Sequence, residues 1–538
     1  MATYYVRKDG NDSNAGTSDT SGGAWLTCAK AATTCVAGDT CYIRTGEYAE
    51  GLTVSNHGTE ASPISFIGEA GTKVGWFRCD KRWINLYSVW LYGISGNDGL
   101  YSYLINAEDC LVEGCTFDRV FANYSAVNMA FNQPGVRPLR LTMRGNQFLN
   151  CTRTAELNLQ GVGHLIEGNY FSAQTGYDCI RIASSYTTIR GNTFDNWSRP
   201  GGSALHTDLI QAFSSNNEIS EYNIIEGNLA INCVDCQIGN LEDQAGLGRV
   251  GNWIWRNNIF CNVDAQMSIY TPGMKFYNNV FYRCGKNGVG PLLFRDSTDR
   301  NSATGGVVRN NVFLECGNNS TSPTVGWYSS TAGITDLVVS NNFVRGTGAG
   351  TVKSTFSETG GINGSDPLFE DAAAYDFRLR AGSPLIDAGA DVSDDNNTDY
   401  YENARSVPFD IGAFEFGSTP GADTTPPTPN PSTIASVTVN STTQITVIAD
   451  TATDAVSSPV EYNHAIGGVF QGWQSSATRV FTGLSPGTLY SFSVRARDSA
   501  GNATTASAAS TATTDASETT TPNPLAFRSN AMLAMGAF

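Results

Sequence analysis

"HLIEGNYF" (residues 164–171) runs alternating apolar residues into Gly168-Asn169 and places an aromatic, Phe171, two positions after the asparagine. The phrase recurs as "LTMRGNQF" (141–148), "TTIRGNTF" (187–194), "NIIEGNLA" (223–230), "WIWRNNIF" (253–260), "KFYNNVF" (275–281), "VVRNNVF" (307–313) and "LVVSNNF" (337–343). Its key asparagines are Asn146, Asn169, Asn192, Asn228, Asn258, Asn279, Asn311 and Asn341, at spacings of 23, 23, 36, 30, 21, 32 and 30 residues. A floor of 21 to 23 residues with larger insertions describes solenoid coils whose loops grow on chosen sides. Period-2 alternation makes the strands short. Asparagine at the turn tolerates left-handed backbone angles and can hydrogen-bond its neighbours above and below. A leucine-rich repeat of similar period would need an L-x-x-L-x-L framework and a helical half, and neither is present. The expectation is an all-β chain built on a right-handed parallel β-helix.

Composition agrees. Among 538 residues only 15% are charged, and 56 are glycine, which favours many short strands joined by turns. The length leaves room for more than one core. A net charge of −17 argues against nucleic acid and anionic membrane surfaces. A polyanionic sugar would need a bridging cation such as calcium. All thirteen cysteines lie between Cys28 and Cys316. Cys233 and Cys236 form a C-x-x-C without a second pair at zinc-ligand spacing, so the expectation is mostly buried, reduced thiols. No apolar stretch is long enough to span a bilayer. "MATYYVRKDG" (1–10) lacks the basic-then-apolar pattern of a secretion signal, which leaves a trimmed leader or release by lysis.

The segments flanking the repeat have their own patterns. "YYVRKDGNDSNAGTSDTSGGAWLTCAKAATTCVAGDTCYIRTGEY" (4–48) joins an extended Tyr-Tyr-Val strand, a short amphipathic helix near Trp25 to Ala32 and a Gly-Asp-Thr-x-Tyr-Ile strand. It resembles the opening of pectate-lyase-like β-helix proteins, which implies a cap (1–50) on the solenoid (51–361). An open solenoid end would expose core and sheet edge. "SDPLFEDAAAYDFRLRAGSPLIDAGA" (365–390) with "FDIGAFEF" (409–416) resembles a choice-of-anchor-type module, here 362–416. A Pro/Thr/Gly linker (417–432) follows. "GLSPGTLYSFSVRARDSAGN" (483–502) alternates Tyr490, Phe492, Val494 and Ala496 and resembles a fibronectin type III domain (433–515), with Tyr490 in the tyrosine-corner role. No loop of that domain carries a binding motif. The tail (516–538) is mostly apolar, and residues 519–538 carry one charged side chain, Arg528.

The candidate site lies where the longest coils interrupt the repeat. "ELNLQ" (156–160), "DCIRIA" (178–183), "DLIQAF" (208–213), "QIGN" (237–240) and "QMSIY" (266–270) are expected to stack. Leu157, Leu159, Ile180, Ile182, Ile210, Ala212, Met267 and Ile269 then point inward, and period 2 turns Asn158, Arg181, Gln211, Gln266, Ser268 and Tyr270 outward. The coil of Cys236 fits in either of two registers, which swap Gln237 in or out. Asp178 and Asp208 each precede an isoleucine by two places, so they share a corner on rungs about 4.8 Å apart. Such a pair either shares a proton, as in a hydrolase, or holds calcium, as in a lyase. Asp178 with Glu242 or Asp243 is the alternative for an inverting hydrolase, which wants about 6.5–9.5 Å between carboxyls. The calcium ligands would be Asp178, Asp208, Glu242 and Asp243. His206 would orient or protonate. Arg181 would be a lyase base or a binder of acidic sugars, and Trp253, Trp255 and Tyr270 would stack on sugar rings. Each feature also has a structural explanation, since Asp caps turns, Gln ladders stabilise solenoids and the tryptophans alternate into the core. The pectinolytic pattern of paired Asp with a downstream Arg-x-Lys is missing.

The whole order resembles phage virion-associated β-helix proteins, tailspikes or capsid-decorating fibres, although their particle-binding part is N-terminal. That resemblance implies a virion-associated or extracellular protein that contacts, and in some members cleaves, cell-surface polysaccharide. It also implies contact with other virion proteins or symmetry mates through the tail. The alternatives are a secreted bacterial polysaccharide lyase or glycoside hydrolase, and a non-catalytic adhesin or structural solenoid.

Overall fold

The computed structural model describes the chain except residues 93–101, 119–126, 130–136, 151–154, 173–177, 199–206, 214–218, 244–248, 286–289, 297–301, 318–326, 330–333, 335, 347–357, 420–424, 455–459, 499–500 and 518–538. It divides into two units, Met1–Asp423 and Thr424–Phe538.

The first unit is a right-handed parallel β-helix of three long parallel sheets with 13, 11 and 13 strands. One sheet holds the strand before each Gly-Asn or Asn-Asn turn, as in Thr142–Arg144 and Leu165–Glu167, and a second holds the strand after it, as in Gln147–Leu149 and Tyr170–Ser172. The third carries the candidate site. Period 2 sends one side chain in three-residue strands such as "LIE" and "YFS" to the core, where Phe117, Phe148, Phe171 and Phe194 stack with centroids 4.7, 4.7 and 5.1 Å apart. These spacings match the rung repeat, so every coil buries one ring on the last.

The turn asparagines form a continuous buried ladder. Asn146, Asn169, Asn192, Asn228, Asn258, Asn279 and Asn311 each donate a backbone N–H and a side-chain Nδ2–H to the Oδ1 of the next, at 2.9–3.0 Å. The eighth member is Asn342, not Asn341 as the repeat count suggested. Asn342 in turn donates both groups to one carboxylate oxygen of Glu358, which ends the ladder.

The residue before each ladder asparagine is left-handed, and this sets the Gly-Asn to Asn-Asn switch. Gly145, Gly168, Gly191 and Gly227 occupy it in the earlier coils with φ of 59–63°, and Asn257, Asn278, Asn310 and Asn341 in the later ones with φ of 54–58°. Those four asparagines reach out to the closing module. Asn257 donates to the Thr398 carbonyl, Asn278 to those of Asp410 and Gly412, Asn310 to that of Ala390 and Asn341 to that of Ala388. The module therefore packs along the flank of the helix. Phe369, Phe377, Leu379, Leu385, Ile411 and Phe414 bury the outward-facing Ile259, Val280, Val312, Leu314 and Phe343.

At the other end, strand Thr3–Val6 pairs with Thr40–Ile43, and Trp25 stacks on Tyr4 at 4.5 Å. The cap helix is Cys28–Thr34, later than expected because Thr27 is its N-cap and accepts from Lys30 N–H. The second unit has antiparallel sheets of three and four strands around one core containing Ile445, Val447, Phe481, Phe492 and Val494, a β-sandwich. Tyr490 Oη accepts from Ser485 N–H at 2.9 Å, the corner geometry expected of it. Residues 428–432, expected in the linker, belong to the sandwich: Thr428 and Thr453 exchange backbone hydrogen bonds, and Asn430 Oδ1 accepts from Thr505.

Candidate functional site

Five strands of the third sheet carry the predicted residues: β1 (Ala155–Val162), β2 (Asp178–Ser185), β3 (Asp208–Phe213), β4 (Gln237–Glu242) and β5 (Ala265–Ile269). They pair in this order. The inward set is as expected, with Leu157, Leu159, Ile180, Ile182, Ile210, Ala212, Met267 and Ile269 all buried. The register aligns Asn158, Arg181, Gln211, Asn240 and Ser268 in one outward column. It also settles β4, since Gln237 pairs with Asp208 and Asn240 with Gln211.

Asp178 and Asp208 stand on adjacent rungs, because Ile180 pairs with Ile210. Asp178 Oδ1 accepts the backbone N–H of Asp208 at 3.3 Å, and its Oδ2 accepts from Arg181 Nη2 at 2.6 Å. Arg181 Nε donates to Gln211 Oε1 at 3.0 Å. Asp178, Arg181, Asp208 and Gln211 thus form one connected group. Arg181 bridges Asp178 on its own strand to Gln211 on the next rung. His206 lies outside the described residues.

Glu242 and Asp243 belong elsewhere. Phe213 pairs with Glu242, five residues beyond Asp208. At about 3.3 Å per residue, Glu242 is roughly 16 Å along the strands from the aspartate column. This corrects two expectations: the Asp178–Glu242 or Asp178–Asp243 pairing of an inverting hydrolase, and the four-carboxylate calcium site. Asp243 Oδ2 instead accepts the backbone N–H of Arg249 at 2.9 Å. Among the described residues, no group of three or more His, Cys, Asp or Glu side chains is placed to hold a metal ion.

Trp255 is a further correction. Like Trp253 it is fully buried, stacked on Phe276 with centroids 6.1 Å apart, and offers no face to a sugar. The residue pairs with Ile225 and Phe276, whose parity is inward. Tyr270 and Gln266 are half-buried, and Arg295 lies over the Tyr270 ring at 5.5 Å.

The outer face is largely buried. Gln211, Asn240 and Ser268 are buried, as are Cys179, Leu209 and Ile238 beside them, while Asn158 and Arg181 are half-buried. Asn240 Oδ1, in the middle of the column, accepts no hydrogen bond, and neither does Gln237 Oε1. Buried polar atoms are nearly always paired, and among the described residues these two acceptors have no donor.

Two residues escaped the sequence reading. Tyr186 and Tyr222 are 61% and 49% exposed and stack at 5.3 Å, directly after β2 and on the next rung. Both are left-handed, with φ of 55° and 57°, where the flanking coils have Gly163 and Asn252. A bulky side chain there is uncommon and carries strain. The signal was legible: each immediately precedes a repeat phrase, at the position of Gly163 before "HLIEGNYF".

No family model matches the chain, and no curated protein matches it. Solved structures similar to it include a mannuronic acid specific polysaccharide family 6 lyase from human gut microbiota, at 15% identity over 66% of this chain and 82% of that one, TM-score 0.44. XylC in complex with xylose is similar at 11% identity over 78% and 99%, TM-score 0.48. Pectate lyase Pel9A is similar at 15% identity over 78% and 97%, TM-score 0.43. By its own strand register, this chain is a right-handed parallel β-helix protein followed by a β-sandwich.

Proposed function

We propose that this protein binds polysaccharide along the outer face of β1–β5; any cleavage would proceed through Asp178 and Asp208, which are themselves buried, 3% and 0% exposed, and reach the column through Arg181. The supporting observation is the buried, donor-seeking Asn240 Oδ1 within the polar column Asn158–Arg181–Gln211–Asn240–Ser268. A sugar hydroxyl supplies the missing donor, and a polymer supplies it repeatedly along stacked rungs. The exposed Tyr186–Tyr222 stack offers ring faces at the turn that follows β2. Residues 199–206 and 214–218, the extra length of the 36-residue coil, enter the chain on either side of β3. The reading extends to a virion-associated or extracellular protein on the support of the sequence's architecture, with attachment through 516–538, of which 518–538 lie outside the described residues.

The test is incubation with polygalacturonate, alginate and xylan, followed by affinity electrophoresis and mass spectrometry of the products. Binding by the parent and loss of binding in Asn240→Ala are expected. Any cleavage should disappear in Asp208→Asn with the fold intact. A 4,5-unsaturated product identifies a lyase, and a new reducing end alone a hydrolase. Unchanged binding by Asn240→Ala would remove the proposal.

A further inference from the structure

Between residues 424 and 517 the chain has three cationic residues, Arg479, Arg495 and Arg497, and all three converge on one hairpin of the sandwich. Strand Glu461–Ile466 turns through Gly467 and Gly468 into Val469–Phe470, and Trp473 follows. The Arg495 guanidinium lies over the Phe470 ring at 4.2 Å and over the Trp473 ring at 5.0 Å, and that of Arg497 lies over Trp473 at 4.5 Å. Arg479 donates to the carbonyls of Gln471 and Gly472, both at 3.1 Å.

The three differ in how their donors are used. Arg497 is paired with Glu461 at 2.7 Å, and Arg479 gives two donors to backbone carbonyls while its own buried Nε–H has no acceptor among the described residues. Arg495 has ring contacts, but its buried Nε–H has no acceptor among the described residues. Asn463, opposite Arg495 in register and itself buried, has an Oδ1 with no donor among the described residues. Rings cover a guanidinium's faces and leave its in-plane N–H edge for an acceptor, and the acceptor that fits this edge in two bonds is a carboxylate.

We propose that this hairpin is a second binding site, specific for carboxylated sugars of the uronate class. A uronate joins the three features the site asks for: a carboxylate for Arg495, hydroxyl donors for Asn463 Oδ1, and an apolar ring face for half-buried Trp473. In a chain of net charge −17 the patch also gives an acidic polymer a place to land. The site lies in the second unit and does not depend on the solenoid's polar column.

The test uses the full chain carrying Asn240→Ala, so that the solenoid face and the hairpin fail separately. Affinity electrophoresis compares polygalacturonate with neutral xylan and with polyglutamate. Polygalacturonate should retard the protein, weakened by added salt, while xylan does not. Adding Arg495→Gln should lower the affinity at least about tenfold, the loss of a charge-assisted hydrogen bond. Arg495→Lys, which keeps the charge and loses the fork, should fall between. Trp473→Leu serves as a second variant should Arg495→Gln fail to fold, with the same loss expected. Undiminished retardation in a folded Arg495→Gln or Trp473→Leu protein would overturn the site. Equal retardation by polyglutamate would overturn the sugar assignment in favour of an acidic peptide.

Discussion

Replacing Asn258 by alanine tests the ladder in its interior. The Asn258 side chain makes four buried hydrogen bonds. Oδ1 accepts from Asn228 N–H at 3.0 Å and Asn228 Nδ2–H at 2.9 Å, while Nδ2 donates to the Ile225 carbonyl at 2.8 Å and to Asn279 Oδ1 at 2.9 Å. Each is worth about 1 kcal/mol net, and the vacated partners have no route to water, so Asn258→Ala should cost about 4 kcal/mol. The loss should be local at first, because coils of a solenoid are coupled to their nearest neighbours. Urea unfolding followed by tryptophan emission reads the total, since Trp253 and Trp255 are buried in the same coil. Amide exchange reads the locality, with the Asn228 N–H losing protection before that of Asn146. A loss under about 1 kcal/mol, or uniform loss of protection along the solenoid, would refute the ladder as a source of stability.

Two further outcomes follow from buried groups. Burial holds the His164 imidazole down at about 4: Nδ1 accepts from Leu141 N–H and Nε2 bonds the Gln160 carbonyl, so a second proton has no acceptor. A folded value below the usual 6.5 means stability that is complete above pH 6.5 and lost as pH falls toward 4, roughly 3 kcal/mol in all. His164→Gln should flatten that part of the urea midpoint against pH, and an unchanged slope would contradict the assignment. The twelve described cysteines are free and buried, and even the close pair Cys79–Cys110 has sulfurs 4.0 Å apart, about twice a disulfide bond. Cys151 lies outside the described residues. Thiol titration should therefore find native protein unreactive, with Cys115, Cys233 and Cys316 pushed up to about 12 by burial, and nearly all thirteen thiols reactive after unfolding without reductant. Recovery of a single thiol would contradict this.

The solenoid was legible in the sequence because its constraints are local and repeated. A period-2 strand, a left-handed turn and an asparagine that must be satisfied from above and below leave the same trace in every coil. The inward residues of β1–β5 and the shared corner of Asp178 and Asp208 followed from that period alone. What period could not decide was register across unequal insertions. Only strand pairing put Asn240 rather than Gln237 in the polar column and placed Glu242 about 16 Å from the aspartates. The Gly-Asn to Asn-Asn switch was visible on the page, yet its cause lies some 50 to 150 residues away in the carbonyls of the closing module. The hairpin of the sandwich left no sequence motif at all. Arg495 meets Phe470 and Trp473 only because antiparallel pairing folds residues more than twenty apart onto one face, and contacts made by folding alone have no spacing to read.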